Sequence, residues 1–152
     1  MPLVLMTDAR KADWAAAARR LPRGSVVVVR GQDSKKRLAL AARIGAAGLH
    51  LPEKRMKEAA HWRARFPHWI VTSSAHSLRA LMGAHALDAV FLSPVFATTS
   101  HNGAKPLTPL RAAFIAGHAP VPVYALGGVT AQNAARLAPS FSGIAAISSL
   151  IP

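Results

Sequence analysis

An α/β fold follows from three observations on the 152 residues. Apolar, β-branched runs alternate regularly with stretches of helical periodicity. No hairpin signal joins any two of the runs, and just over half of the residues are apolar, enough for one core in a single domain, 1–152. Such βαβα alternation implies parallel strands, arranged either as a doubly wound sheet or as a barrel. No Gly-x-Gly-x-x-Gly stretch follows the first strand, which disfavours a dinucleotide-binding sheet. Eight-stranded barrels have roughly 200 residues or more. The expected architecture is therefore a TIM-barrel-like (βα) barrel, shortened, with about seven parallel strands and no C-terminal closing helix.

In chain order, "LVLMTD" (3–8) reads as the first strand and "DWAAAARRL" (13–21) as an amphipathic helix. "SVVVV" (25–29) has the β-branched composition of a strand buried on both faces, and 35–45 has helical spacing. "GLHL" (48–51) is a short strand before a helix over 53–66. A strand at 69–74, a helix at 77–87 and the strand "AVFLSPVF" (89–96) follow, the last opening into the polar loop "ATTSHNGAK". A helix at 108–118, a strand at 122–126, a helix at 130–138 and a strand at 143–148 complete the series.

Composition excludes several classes of chemistry. No cysteine is present, which removes disulfides, thiolate metal sites and cysteine nucleophiles and is compatible with a cytoplasmic protein. No uncharged apolar stretch approaches the roughly 18 residues of a membrane span, so no membrane partner is expected. Lysine and arginine number 19 against 6 acids, a formal charge of +13 that attracts anions. No known DNA- or RNA-binding motif accompanies that charge, so a phosphorylated small molecule is favoured over nucleic acid. The carboxylates are Asp8, Asp13, Asp33, Glu53, Glu58 and Asp88, few for a carboxylate-rich metal site, and the histidines show no metal-ligand spacing.

Ligands of parallel α/β folds sit at the C-terminal strand ends. Those ends carry Arg30, Glu53, Ser74 and His76, then Thr98, Ser100 and His101, and finally Gly127, Gly128, Ser148 and Ser149. Hydroxyls and glycines dominate, a set better suited to holding anionic oxygens than to moving protons between carboxylates. Gly127-Gly128 precede Thr130, a good helix N-cap, and Ser148-Ser149 end the next strand. Two readings stay open for them: a phosphate cup, or a tight turn and a plain strand end. Arg30 either points into the site or pairs with Asp8. His50, flanked by Leu49 and Leu51, reads as a hydrogen-bonded core residue.

Taken together, "LMTD", "VVVVR", "GAAGLHL", "SSAHS", "LDAVFLSPVFATTSH", "PVYALGGVTAQN" and "GIAAISSL" resemble the thiamine phosphate synthase family and its thiazole tautomerase relatives, in order and over nearly the whole chain. The resemblance implies a transferase of thiamine biosynthesis. Such an enzyme joins a hydroxymethylpyrimidine diphosphate to a thiazole phosphate and releases diphosphate with Mg²⁺. It implies that Arg30 and Ser100 are catalytic, that Gly127, Gly128 and Ser148 hold the thiazole or product phosphate, and that Thr98 lies in the diphosphate-contacting loop. By strand-end position His101 joins the catalytic residues, and Ser149, Ser74 and His76 join the substrate- and phosphate-binding set. Thiazole phosphate or thiamine phosphate is the expected ligand. The sequence also departs from the family. Val28 and Gln32 replace the Gln and Lys flanking the matched Arg30, and His101 replaces a loop Lys. Arg55 stands at a metal-binding Asp position, and the Asn-Asp pair that supplies a Mg²⁺ ligand has no counterpart. Pro94 stands where the tautomerases use a histidine. One strand–helix unit is missing between "VVVVR" and "GLHL". An open barrel exposes strand edges, so a homodimer is expected.

Overall fold

The computed structural model describes residues 3–7, 14–29, 46–98, 105–137 and 139–147. Its strands are β1 (Leu3–Met6), β2 (Val26–Val28), β3 (Gly48–Leu51), β4 (Ile70–Ala75), β5 (Ala89–Leu92), β6 (Val123–Ala125) and β7 (Gly143–Ala146). All pair in parallel, in the order β2-β1-β7-β6-β5-β4-β3, and form a nearly closed barrel. The two ends of that order are β2 and β3, the strands between which the family resemblance implies a missing unit. No pairing joins them among the described residues.

Edge position corrects the reading of "SVVVV". Val28 is buried, but Val26, Val27 and Val29 are 48%, 36% and 50% exposed. A strand needs neighbours on both sides and a layer on each face to hide such a run, and β2 pairs with β1 alone among the described strands.

Two cores lie on opposite faces of the sheet. Strand residues Leu51, Val71, Val90, Leu92, Val123 and Ala125 pack outward against helical Met56, Leu81, Ile115 and Leu137. Val4, Met6, Val28, Phe91, Leu126, Ala145 and Ile147, with Tyr124 against them, form a second cluster that draws only on strands and strand ends. This is the barrel interior. Period-two alternation produces the split: Phe91 points in between outward Val90 and Leu92.

Helices are shorter than their periodicity suggests. The expected 13–21 helix is Trp14–Arg19, and the predicted 35–45 helix lies outside the described residues. The segment expected as one helix over 53–66 begins as a 3₁₀ turn, Glu53–Glu58, and continues as α-helix Ala59–Arg65. Pro52 opens it, its carbonyl accepting from Arg55 N–H at 2.9 Å. The expected 77–87 helix contracts to Leu78–Leu81, capped by the Ser77 hydroxyl, which accepts from Ala80 N–H at 3.2 Å. Beyond it the chain tightens into i→i+3 bonds at Gly83 and Ala84, since glycine favours the helix least of the non-proline residues. Pro109–Gly117 and Ala131–Ala134, the latter extended by the 3₁₀ turn Ala135–Leu137, match their expected positions.

Candidate functional site

Hydrogen bonds stitch the C-terminal strand ends from β3 to β6. Glu53, just beyond β3, accepts the His76 backbone N–H at 2.7 Å through Oε2. His76, just beyond β4, donates from Nδ1 to the Ser93 carbonyl at 2.8 Å. A carbonyl can only accept, so the proton sits on Nδ1 and, in the neutral ring, Nε2 is the acceptor. Ser93 lies just beyond β5 and is followed by a cis bond to Pro94. The Val95 and Phe96 N–H groups then donate to the Leu126 and Gly127 carbonyls, each at 3.0 Å.

The glycine pair turns the chain out of β6 in a left-handed conformation, with φ +91° at Gly127 and +65° at Gly128. A Cβ on Gly127 would lie 2.8 Å from Pro94 Cα, and one on Gly128 would lie 2.3 Å from the Ala97 carbonyl oxygen. The loop after β5 therefore packs directly on the bare glycine backbone. Arg136 adds a cation over the Phe96 ring, 5.7 Å from its centre. The Gly127 and Gly128 N–H groups donate to no described residue.

Asn133 holds the outer side of this turn, a role that the sequence reading missed. Its Oδ1 accepts from Thr130 N–H and its Nδ2 donates to the Gly128 carbonyl, both at 2.8 Å. The signal was present in the spacing, because a polar residue three positions after an N-cap reaches back to the cap's N–H. Asn133→Ala is expected to lower stability by about 1–2 kcal/mol, from two hydrogen bonds lost at a half-buried turn. Urea denaturation measures it, and an unchanged midpoint would remove Asn133 from the turn's support.

Of the expected site residues, Ser74, His76, Thr98, Gly127 and Gly128 are described. Ser74 is half-buried on the inward face of β4 and lies 3.0 Å (Oγ) from His50 Nε2. Thr98 follows Ala97 directly, which brings it beside the glycine turn. The structure thus gathers the ends of β4, β5 and β6 into one rim. Arg30, Ser100, His101, Ser148 and Ser149, with Asp8 as the alternative partner of Arg30, lie outside the described residues.

Mg²⁺ requires oxygen ligands, chiefly carboxylates. Each described carboxylate is already engaged. Glu53 holds the His76 N–H, and Asp88 accepts from Val71 N–H at 2.8 Å and from Arg63. Glu58 takes two 2.6 Å bonds from Arg55 and a third from Trp62 Nε1. The Arg55 hydrogen bond, ahead of the Trp62 bond and the neighbouring charges, holds the Glu58 carboxyl below the usual carboxylate range. The same bond raises Arg55 further. Arg55 is thus a structural cation at a position where the resemblance implies a metal-binding acid. No cluster of three His, Asp or Glu side chains able to hold a metal forms among the described residues, and their donor set does not fit Mg²⁺.

The family model for thiamine monophosphate synthase matches residues 10–150. A putative thiamine-phosphate synthase 2 of Aquifex aeolicus is 37% identical over 97 residues, 62% of this chain and 52% of that protein. The thiamine-phosphate synthase of Latilactobacillus sakei is 32% identical over 157 aligned positions, 98% of this chain and 67% of its own length. The chain therefore spans about half to two thirds of these relatives. In structure it superposes on a thiamine phosphate pyrophosphorylase from Pyrococcus furiosus with a TM-score of 0.78, covering 97% of this chain and 85% of that one at 21% identity, a likeness of fold. No helix among the described residues is long and apolar enough to cross a membrane. With the family model matching nearly the whole chain, the chain belongs to the thiamine monophosphate synthase family.

Proposed function

We propose that the chain binds a phosphorylated thiazole or thiamine phosphate at the rim formed by β4, β5 and β6, with the phosphate against Gly127 and Gly128. One observation carries the reading. At the end of β6 two successive N–H groups in left-handed backbone donate to no described residue, and they offer a phosphate two donors. Ser148 would complete the cup from the next strand, as the family resemblance implies. The charge of +13 supports capture of such an anion. On this reading the protein is of the thiamine-phosphate-synthase type, and its reaction is the coupling of pyrimidine diphosphate to thiazole phosphate. Charge that builds on the departing diphosphate would be met by hydrogen-bond donors and by Arg30. Isothermal titration with thiamine phosphate, thiazole phosphate and diphosphate should show saturable binding of at least one. No heat of binding with any of the three would overturn the reading.

The engaged carboxylates favour a second reading, a protein that kept the phosphate cup and does not turn the substrates over. A turnover assay with Mg²⁺ and both precursors separates the two. Thiamine phosphate formation excludes the binding-only protein, whereas ligand binding without product excludes the transferase.

A further inference from the structure

We infer that His50 is a positioning residue that orients the Ser74 hydroxyl as a hydrogen-bond donor to a phosphoryl oxygen of the ligand; this rests on the phosphate-ligand reading above. Register brings the three groups together. β3 pairs with β4 so that His50 stands opposite Thr72, and Ser74 lies two residues further along the same inward face. His50 Nδ1 is 2.9 Å from Thr72 Oγ1 and Nε2 is 3.0 Å from Ser74 Oγ. The imidazole meets the Phe91 ring edge-on at 5.3 Å, which limits its rotation.

Proton counting then decides what Ser74 can do. A neutral imidazole donates from one nitrogen and accepts at the other. Were Ser74 to donate to Nε2, its single O–H proton would be used, and it would present only lone pairs to an anion. With Thr72 donating to Nδ1, the ring instead donates from Nε2–H to Ser74 Oγ. The Ser74 proton is then left for a phosphoryl oxygen. A protonated ring donates from both nitrogens and has the same consequence for Ser74. Contact between Ser74 and an anion therefore selects a ring with hydrogen on Nε2 in either charge state. Ser74 is half-buried, one layer nearer the mouth than His50, as this relay requires.

Titration of inorganic diphosphate into the wild type and variants tests the inference. Ser74→Ala and His50→Leu should each weaken binding about tenfold or more, tenfold being the lower end for one lost hydrogen bond to a charged group. The double variant should bind no more weakly than Ser74→Ala alone, because His50 acts through Ser74. His50→Gln, whose amide can donate to Ser74, should restore affinity to within about threefold of wild type. In wild-type protein saturated with diphosphate, ¹⁵N NMR of the His50 ring should show Nε2 protonated, a readout that needs no variant to fold. Losses that multiply in the double variant, or an unprotonated Nε2 in the complex, would overturn the role of His50 and leave the phosphate site standing. Failure of the wild type to bind diphosphate at all would remove the Ser74 contact and this inference with it, and saturable binding of thiamine phosphate would still leave the glycine site standing.

Discussion

Gly128→Ala is expected to destabilise the protein by about 3 kcal/mol or more, while Gly24→Ala, also at positive φ, costs about 1 kcal/mol. Both glycines are left-handed, with φ +65° and +84°. An alanine pays the backbone penalty at either position. The surroundings differ. A Cβ on Gly24 would meet nothing within 4 Å, whereas one on Gly128 would lie 2.3 Å from the Ala97 carbonyl oxygen and 2.8 Å from Phe96 Cβ. The nearest obstacle is backbone, so relief requires the loop after β5 to move away. That movement would pull on the Phe96 N–H bond to the Gly127 carbonyl. Chemical denaturation midpoints of the two variants, read at equal m-values, measure the difference. Equal shifts would show that the close approach of the two loops carries no energy. Because the same turn presents the proposed phosphate donors, Gly128→Ala should also abolish thiamine phosphate binding if the site is used.

Leu92→Ala should cost about 3–4 kcal/mol, within the range for a leucine removed from a packed core. Leu92 is fully buried at the end of β5, opposite Ala75 of β4 and Ala125 of β6, and faces the outer core beneath the helices. Its small neighbours on both flanking strands mean that the leucine itself fills the space there. Truncation leaves a cavity that alanines cannot reach across. Leu110, 84% exposed on the Pro109–Gly117 helix, provides the contrast, with Leu110→Ala expected within about 0.5 kcal/mol of wild type. A Leu92→Ala loss below about 1 kcal/mol would mean that the helices do not close over β5 as the burial indicates.

Much of the strand pattern was legible because a parallel sheet covered by helices leaves short apolar runs in the sequence. "GLHL" was placed at its observed limits, and the other runs lay within a few residues of theirs. The helices were less legible. Periodicity marks which face would be buried, whereas local chemistry at Pro52 and Gly83 decides where the hydrogen-bond pattern tightens or stops. The glycine pair shows the same limit at the site. A turn and a phosphate cup are both open readings of "ALGGVT", and the contact with Pro94–Ala97 adds a third requirement for a missing Cβ. The reading of His50 as a hydrogen-bonded core residue holds for its hydrogen bonds, although the residue is only half-buried. Its partners were not readable, because they lie 22 and 24 residues away on a strand whose register only pairing reveals.

By itself, then, the sequence determined the alternation of strands and helices, the parallel barrel class, the family and the charge, all of which depend on local pattern or on the order of short stretches along the chain. Tertiary structure alone decided that β2 is an edge among the described strands with exposed valines, that Arg55 and Glu58 hold each other, that Glu53 serves the His76 N–H, and that His50 touches Ser74. These depend on which strands become neighbours and in what register. Pairing of that kind is set by the closure of the whole sheet and not by any one segment.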